Sequence, residues 1–190
     1  MKRTRRKQDG FTLLEVMITL AVMLVAVMGI VSLERAAIRS NGDSRATSTA
    51  SANNARWSSI IRRTALTWTT SSAGTAGIDY LSAQRGAWVI PTGDDSFALD
   101  WYGQPTDTEA DFRYCTLLRI RDINPAESLR VDIVTFWGAL GSGGTSGAER
   151  FTELCAEGNG ADAGDALFGS SPDTNIRHVR SSIVVRRARP

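Results

Sequence analysis

An uncharged apolar run near the start of the chain constrains its fold more than any other feature. Residues 16–33 are eighteen consecutive residues without a charge, and residues 11–14 extend the run in front of Glu15. At about 1.5 Å per residue, some 20 helical residues span the roughly 30 Å hydrocarbon core of a bilayer. Cleavable secretory signals have apolar regions of about 7–15 residues followed by a small-residue cleavage site, which residues 34–37 (ERAA) match poorly. The sequence therefore predicts a membrane-spanning helix.

The basic character of the chain is confined to its first ten residues. Five lysines and arginines stand there against Asp9, a local charge of +4, whereas the whole chain carries +2 and the remainder therefore −2. By the positive-inside rule this asymmetry predicts a cytoplasmic N-terminus and a translocated remainder. Beyond residue 10 the arginines alternate with acidic residues, so no stripe of positive charge indicates a nucleic-acid partner.

The only charge inside the apolar stretch belongs to Glu15. A carboxylate near one end of a membrane helix is costly and usually has a cationic partner, although a side chain that snorkels to the membrane edge is the simpler alternative. The surrounding segment GFTLLEV, residues 10–16, resembles the class III signal of type IV pilins and pseudopilins. In that signal a short basic leader ends in glycine. The mature chain then begins with phenylalanine, has a glutamate at its fifth position and continues as an apolar helix.

The resemblance implies how the N-terminus is processed and used. A prepilin peptidase would cut between Gly10 and Phe11, methylate the new amino group of Phe11 and leave a mature chain of 180 residues. The family's glutamate pairs with the N-terminal amine of a neighbouring subunit, so Glu15 is interpreted as an assembly determinant. A buried carboxylate and ammonium offset each other's desolvation cost only where they meet, which favours one axial register.

Helical spacing continues after the apolar run. One helical face would carry Trp57, Ile60, Ile61, Thr64 and Trp68. We expect a long helix from about Phe11 to Trp68, weakest near Gly42, where glycine and short polar side chains compete with helix. Residues 71–77 (SSAGTAG) are typical of a linker.

Short runs with alternating apolar side chains follow the linker, at residues 87–90, 97–102, 112–121, 129–137 and 176–185. Asn124-Pro125 is a turn signal between the third and fourth runs, which predicts an antiparallel hairpin. An apolar helix face followed by such strands predicts an α+β fold, with a small antiparallel sheet on the C-terminal half of the helix. The pilin resemblance implies the same fold. Residues 139–175 are predicted to form a long glycine-rich loop.

Few residues of this region are typical of chemistry. Cys115 and Cys155 are the only cysteines, and in an oxidising compartment such a pair is expected to be bonded, the alternative being two buried thiols. A single histidine, His178, is too little for a zinc site. Four polar residues could offer oxygens to calcium, but their spacing fits no EF-hand and favours a solvated loop; they are Asn159, Asp162, Asp165 and Asp173. We expect neither metal nor cofactor.

These patterns lead to one interpretation of the whole chain. Residues 1–10 are the leader, 11–38 the membrane and filament-core helix, 39–70 its amphipathic continuation, and 71–190 a β-rich extracytoplasmic head. The chain is then not an enzyme but a single-pass inner-membrane protein that enters a filament. It resembles the minor pilins of the type IV pilus modification (V-type) group. The expected partners are other minor and major pilins, the prepilin peptidase, the inner-membrane assembly platform and a tip adhesin. The alternatives are a minor pseudopilin of type II secretion and an anchored periplasmic enzyme or binding domain.

Overall fold

A computed structural model of the chain describes residues 12–65, 86–91, 97–124, 128–139, 145–156 and 158–186. Helix α1 runs over Leu13–Ala65, and residues 40–44 are helical too. The predicted helix ends at Phe11 and Trp68, the cleavage point after Gly10 and the linker 71–77 lie outside the described residues. The chain divides into two compact units, residues 1–42 and residues 43–190.

The second unit holds the last part of α1 and one five-stranded antiparallel sheet. The strands are β1 (Trp88–Val89), β2 (Ala98–Leu99), β3 (Tyr114–Asn124), β4 (Ser128–Gly138) and β5 (Ile176–Arg186), and a 3-10 turn covers Glu109–Asp111. Their order is β1-β3-β4-β5, and β2 pairs with β3 beyond the end of β1. The predicted α+β, pilin-like architecture is confirmed, and so is the hairpin, in which Ile120 lies opposite Val131.

Alternation along the strands gives the sheet an inner face that packs against α1. From β3 and β4 this face carries Leu118, Ile120, Leu129, Val131 and Ile133, all buried. Trp57, Ile60 and Ile61 of α1 are buried against them, as the helical spacing predicted. Burying each such side chain stabilises the fold by about 1.5–3 kcal/mol.

A small polar network fixes how α1 lies on the sheet. The Asn53 side chain donates to the hydroxyl oxygens of Thr116 (2.9 Å) and Thr135 (3.1 Å), and the Thr135 hydroxyl donates to Asn54 Oδ1 at 2.8 Å. The Asn54 amide donates in turn to the Val179 carbonyl at 3.0 Å. Because buried polar groups are costly without partners, these bonds favour one position of α1 along the sheet over positions shifted by a residue or more.

The predicted loop over 139–175 is wrong for much of its length. It contains two helices, α2 (Thr145–Leu154) and α3 (Gly160–Phe168), which cover part of the outer face of the sheet. Their apolar side chains pack against those of β3 and β4; the buried set includes Cys115, Leu117, Val134, Phe136, Phe151, Leu154, Ala163 and Leu167. The glycines here permit close packing, since α3 approaches β1 through Gly160 and Gly164.

Replacing Gly160 tests this close approach. A Cβ at Gly160 would lie 2.6 Å from the Val89 Cα and 2.7 Å from the Trp88 carbonyl oxygen, both backbone atoms of β1. We expect Gly160→Ala to lower the free energy of unfolding by about 1–3 kcal/mol, because the helix must shift away from the strand. Guanidinium unfolding of the full chain in detergent micelles measures this. Gly138→Ala is the control, since a Cβ there meets nothing within 4 Å; equal midpoints for the two variants would contradict the packing.

Candidate functional site

The start of α1 presents Glu15 in the first helical turn. The backbone N–H of Glu15 donates to the carbonyl oxygen of Thr12 at 3.1 Å and to its hydroxyl oxygen at 3.3 Å. Thr12-Leu13-Leu14-Glu15 has the spacing of a capping box, and a negative side chain in the first turn is favoured by the helix dipole. Within the described part of the chain, Glu15 is exposed and has no ion-pair partner.

The helix that follows is apolar on every side. Its most apolar 18 residues have a mean hydropathy of 2.7 and none is buried; Leu13 is 80% exposed and Met28 71%. The hydroxyls of Thr19 and Ser32 donate to carbonyls one turn earlier, at 2.8 and 2.7 Å. A helix that is apolar all round and satisfies its own polar groups is suited to lipid or to the packed interior of a helix bundle.

Residues 5–31 match the family described as the prokaryotic N-terminal methylation motif. The chain carries a type IV pilin-like class III signal. This pilin-like signal coincides with a helix long and apolar enough to cross a membrane, and together they support a membrane-anchored pilin or pseudopilin. The motif marks a structural family rather than an enzymatic one. Neither a curated protein nor a solved structure matches the chain.

The two cysteines of the head are bonded to each other. Cys115 of β3 and Cys155, directly after α2, form a disulfide with their Cα atoms 5.7 Å apart, and both are fully buried. The rings of Phe136 and Phe151 pack edge to face beside it at 5.6 Å. The bond therefore ties α2 to the sheet and confirms the expected pairing over that of two thiols.

Sequence reasoning missed a highly charged group on the sheet. Asp132 of β4 is fully buried and lies among four arginines, here called the guanidinium cluster. Their closest distances to its carboxylate are 2.6 Å for Arg121, 3.1 Å for Arg130, 3.1 Å for Arg180 and 3.6 Å for Arg119. The alternation along each strand places these residues on its outer face, which the sequence shows. Only the pairing of three strands brings them together.

The electrostatics of the cluster favour the ionised form of Asp132 and disfavour that of Arg119. Burial alone raises the pKa of Asp132, but hydrogen bonding to Arg121 and the charge of Arg180 outweigh it and hold that pKa below its ordinary value. The pKa of Arg119 is lowered, first by burial and then by the charge of Arg121. Asp132 therefore stays negatively charged, and its single charge neutralises only one of the four positive charges around it.

Of the remaining predicted residues, His178 and Asp165 lie near the guanidinium cluster. His178 lies on β5 with its ring 5.0 Å from that of Phe168, and partial desolvation of the imidazole together with the charge of Arg180 lowers its pKa. Asn159 donates to the Glu153 carbonyl at 2.8 Å, and the Asp173 carboxylate accepts the N–H of Asn175 at 2.9 Å. In the part of the chain that the structure describes, no three histidine, cysteine or acidic side chains are placed to hold a metal.

Proposed function

We propose that the chain is a minor pilin of a type IV pilus, of the V-type group, which primes or caps filament assembly. The observation that carries this proposal is the methylation-motif match, which runs directly into a helix whose apolar surface is exposed on every side. In an assembled filament such a surface would pack against the corresponding helices of other pilins. The part of the chain after the helix would contact major pilins, other minor pilins or a tip adhesin.

The proposed route to the filament follows from the signal. The chain would enter the inner membrane once, with its basic leader in the cytoplasm and residues 71–190 outside. The prepilin peptidase would remove residues 1–10 and methylate Phe11 there, so residues 11–38 stay with the mature protein. The assembly platform in the inner membrane would then move the subunit into the pilus. A disulfide in the head is compatible with an oxidising compartment.

Glu15 has the central role in this proposal. In lipid its carboxylate costs several kcal/mol, and the freed amine of a neighbouring subunit is a cation at matching depth. Their pairing offsets both costs, but only when the incoming helix has reached the correct axial position. The interaction therefore selects the register of docking and plays no part in catalysis.

Replacing Glu15 tests the proposed role. We expect Glu15→Ala to leave membrane insertion intact and to lower incorporation into pili by about tenfold or more, because the neighbour's amine then lacks its counter-ion. Immunoblots of sheared pili and of inner membranes, prepared from cells that assemble pili, measure the two quantities. Glu34→Ala is the matched control, since Glu34 is an exposed glutamate at the other end of the apolar run. Wild-type incorporation of the Glu15→Ala protein would contradict the proposal.

The same signal and helix equally favour a minor pseudopilin of type II secretion. Deleting the gene separates the two functions, since loss of surface pili with normal protein secretion supports the pilin, and the reverse result supports the pseudopilin. An anchored periplasmic enzyme or binding domain is distinguished by its mature N-terminus, which would be Met1 or a residue after the apolar run.

A further inference from the structure

The guanidinium cluster forms a patch on the part of the outer sheet face beside α3. It crosses three strands: Arg119 and Arg121 lie on β3, Arg130 and Asp132 on β4, and Arg180 on β5. Arg119 lies opposite Asp132, and Arg121 lies opposite Arg130. At about 4.8 Å between strands, the patch is roughly 10 Å across.

The patch carries three more positive charges than negative ones. One Asp132 carboxylate serves four guanidinium groups, each of which has five N–H donors. The Nε atoms of Arg119 and Arg121 are buried and find no hydrogen-bond partner among the residues that the structure describes. Because the arginines repel one another, a further anion at the patch would relieve this repulsion.

The cluster is open to a partner and already ordered. The side chains of Arg119, Arg180, Arg121 and Arg130 are 23, 37, 41 and 44% exposed. The Arg119 guanidinium lies 4.5 Å from the centre of the Trp88 ring, and that of Arg180 lies 5.6 Å from the centre of the Phe168 ring. These two rings are stacked at 4.9 Å. Side chains held in this way lose little further freedom on binding, which favours affinity.

We propose that the guanidinium cluster is a docking surface for a carboxylate-rich segment of a partner protein. Planar guanidinium groups bind carboxylates through two parallel N–H···O bonds, and an excess of three charges matches a segment with two or three acidic side chains. The inference deepens the proposed function and rests on it in one respect only, that the partner is another subunit of the same assembly.

Two observations favour an acidic protein segment over the phosphates of a nucleic acid. The positive patch crosses only three strands, and Asp165 lines the groove of about 310 Å³ beside Trp88 and Arg119, so the positive surface is short. Nucleic acids are bound by longer stripes of positive charge. In addition, β5 is an edge strand that pairs only with β4 among the described residues, so an extended peptide can bond its backbone as well.

The test titrates the full chain, in micelles of an uncharged detergent, with a capped hexaglutamate peptide. We expect saturable binding that weakens as salt rises, and a Kd that Arg121→Gln/Arg130→Gln raises by about tenfold. Arg62→Gln/Arg63→Gln is the matched control: it removes two exposed arginines near the end of α1, and we expect it to change the Kd by less than about twofold. If the first double variant unfolds, Arg130→Gln alone still leaves three arginines at Asp132 and is expected to raise the Kd by about threefold.

Three results would overturn the inference. They are no saturable binding to the wild-type chain, equal Kd values for the cluster and control variants, and binding of hexathymidylate or inorganic phosphate as tight as that of hexaglutamate. The last result would instead indicate a nucleic acid or a free phosphate. Because this titration requires no filament, its failure leaves the Glu15 experiment unaffected, and failure of the Glu15 experiment leaves the patch intact as a site for a partner outside the pilus.

Discussion

Replacing both Cys115 and Cys155 with alanine is expected to lower the free energy of unfolding by about 4 kcal/mol. The disulfide closes a loop with a sequence separation of 40 residues. In the chain-entropy model, closing a loop of this length lowers the conformational entropy of the unfolded chain and so raises the free energy of unfolding by about 4 kcal/mol. For a unit of this size, we expect a fall of roughly 8–16 °C in the melting temperature.

Thermal unfolding of the full chain in detergent micelles, followed by tryptophan fluorescence, measures this effect. A reducing agent should lower the midpoint of the wild type toward that of the double alanine variant and leave the variant itself unchanged. The unchanged midpoint of the double alanine variant is the control, because it shows that the reducing agent acts only on this disulfide. Equal midpoints for the oxidised wild type and the double variant would contradict the stabilising role.

Replacing Asp132 with asparagine is expected to cost about 2–3 kcal/mol of stability. The asparagine keeps the size of the side chain but leaves four arginines without a counter-ion, and removing one partner of a buried ion pair is strongly destabilising. Breaking a fully buried ion pair costs about 3–5 kcal/mol. We expect a smaller cost here because water screens the partly exposed arginines. Asp107→Asn is the matched control, since Asp107 is exposed, and we expect it to change stability by less than about 0.5 kcal/mol.

The same aspartate predicts how stability depends on pH. Its pKa in the folded protein lies below its ordinary value of 3.8, so the unfolded chain binds the proton more readily. The contribution is therefore complete above about pH 5 and is lost as the pH falls through 3.8 and then through the folded pKa. The stability difference between wild type and Asp132→Asn should shrink in this acid range. A difference that stays constant down to pH 2 would contradict this account of the cluster.

The sequence allowed the main elements to be predicted because each has a strong local periodicity. The face of α1 that includes Trp57 and Ile61 repeats at helical spacing, and β3 and β4 each carry a largely apolar face at every second residue on either side of a turn signal. Such patterns depend only on which side chains must be buried. The disulfide followed from the count of cysteines and the expected compartment.

Two features could not be predicted from local patterns. Helices α2 and α3 lie in a segment whose many glycines favour a loop, yet Gly160 is required because α3 touches the backbone of β1 there. The guanidinium cluster joins residues from three strands, and its existence depends on the register that sets Arg119 opposite Asp132. Both features depend on which segments pack against one another in the folded chain and in which register. Spacing along the sequence does not reveal this.

The mass of the N-terminal peptide of the protein recovered from inner membranes tests the central claim most directly. The account predicts a chain that begins at Phe11 and carries one added methyl group on its amino nitrogen. Gly10→Ser is the control, and we expect this variant to keep its first ten residues and to gain no methyl group. A wild-type protein that retains its basic leader while pili assemble normally would contradict the account.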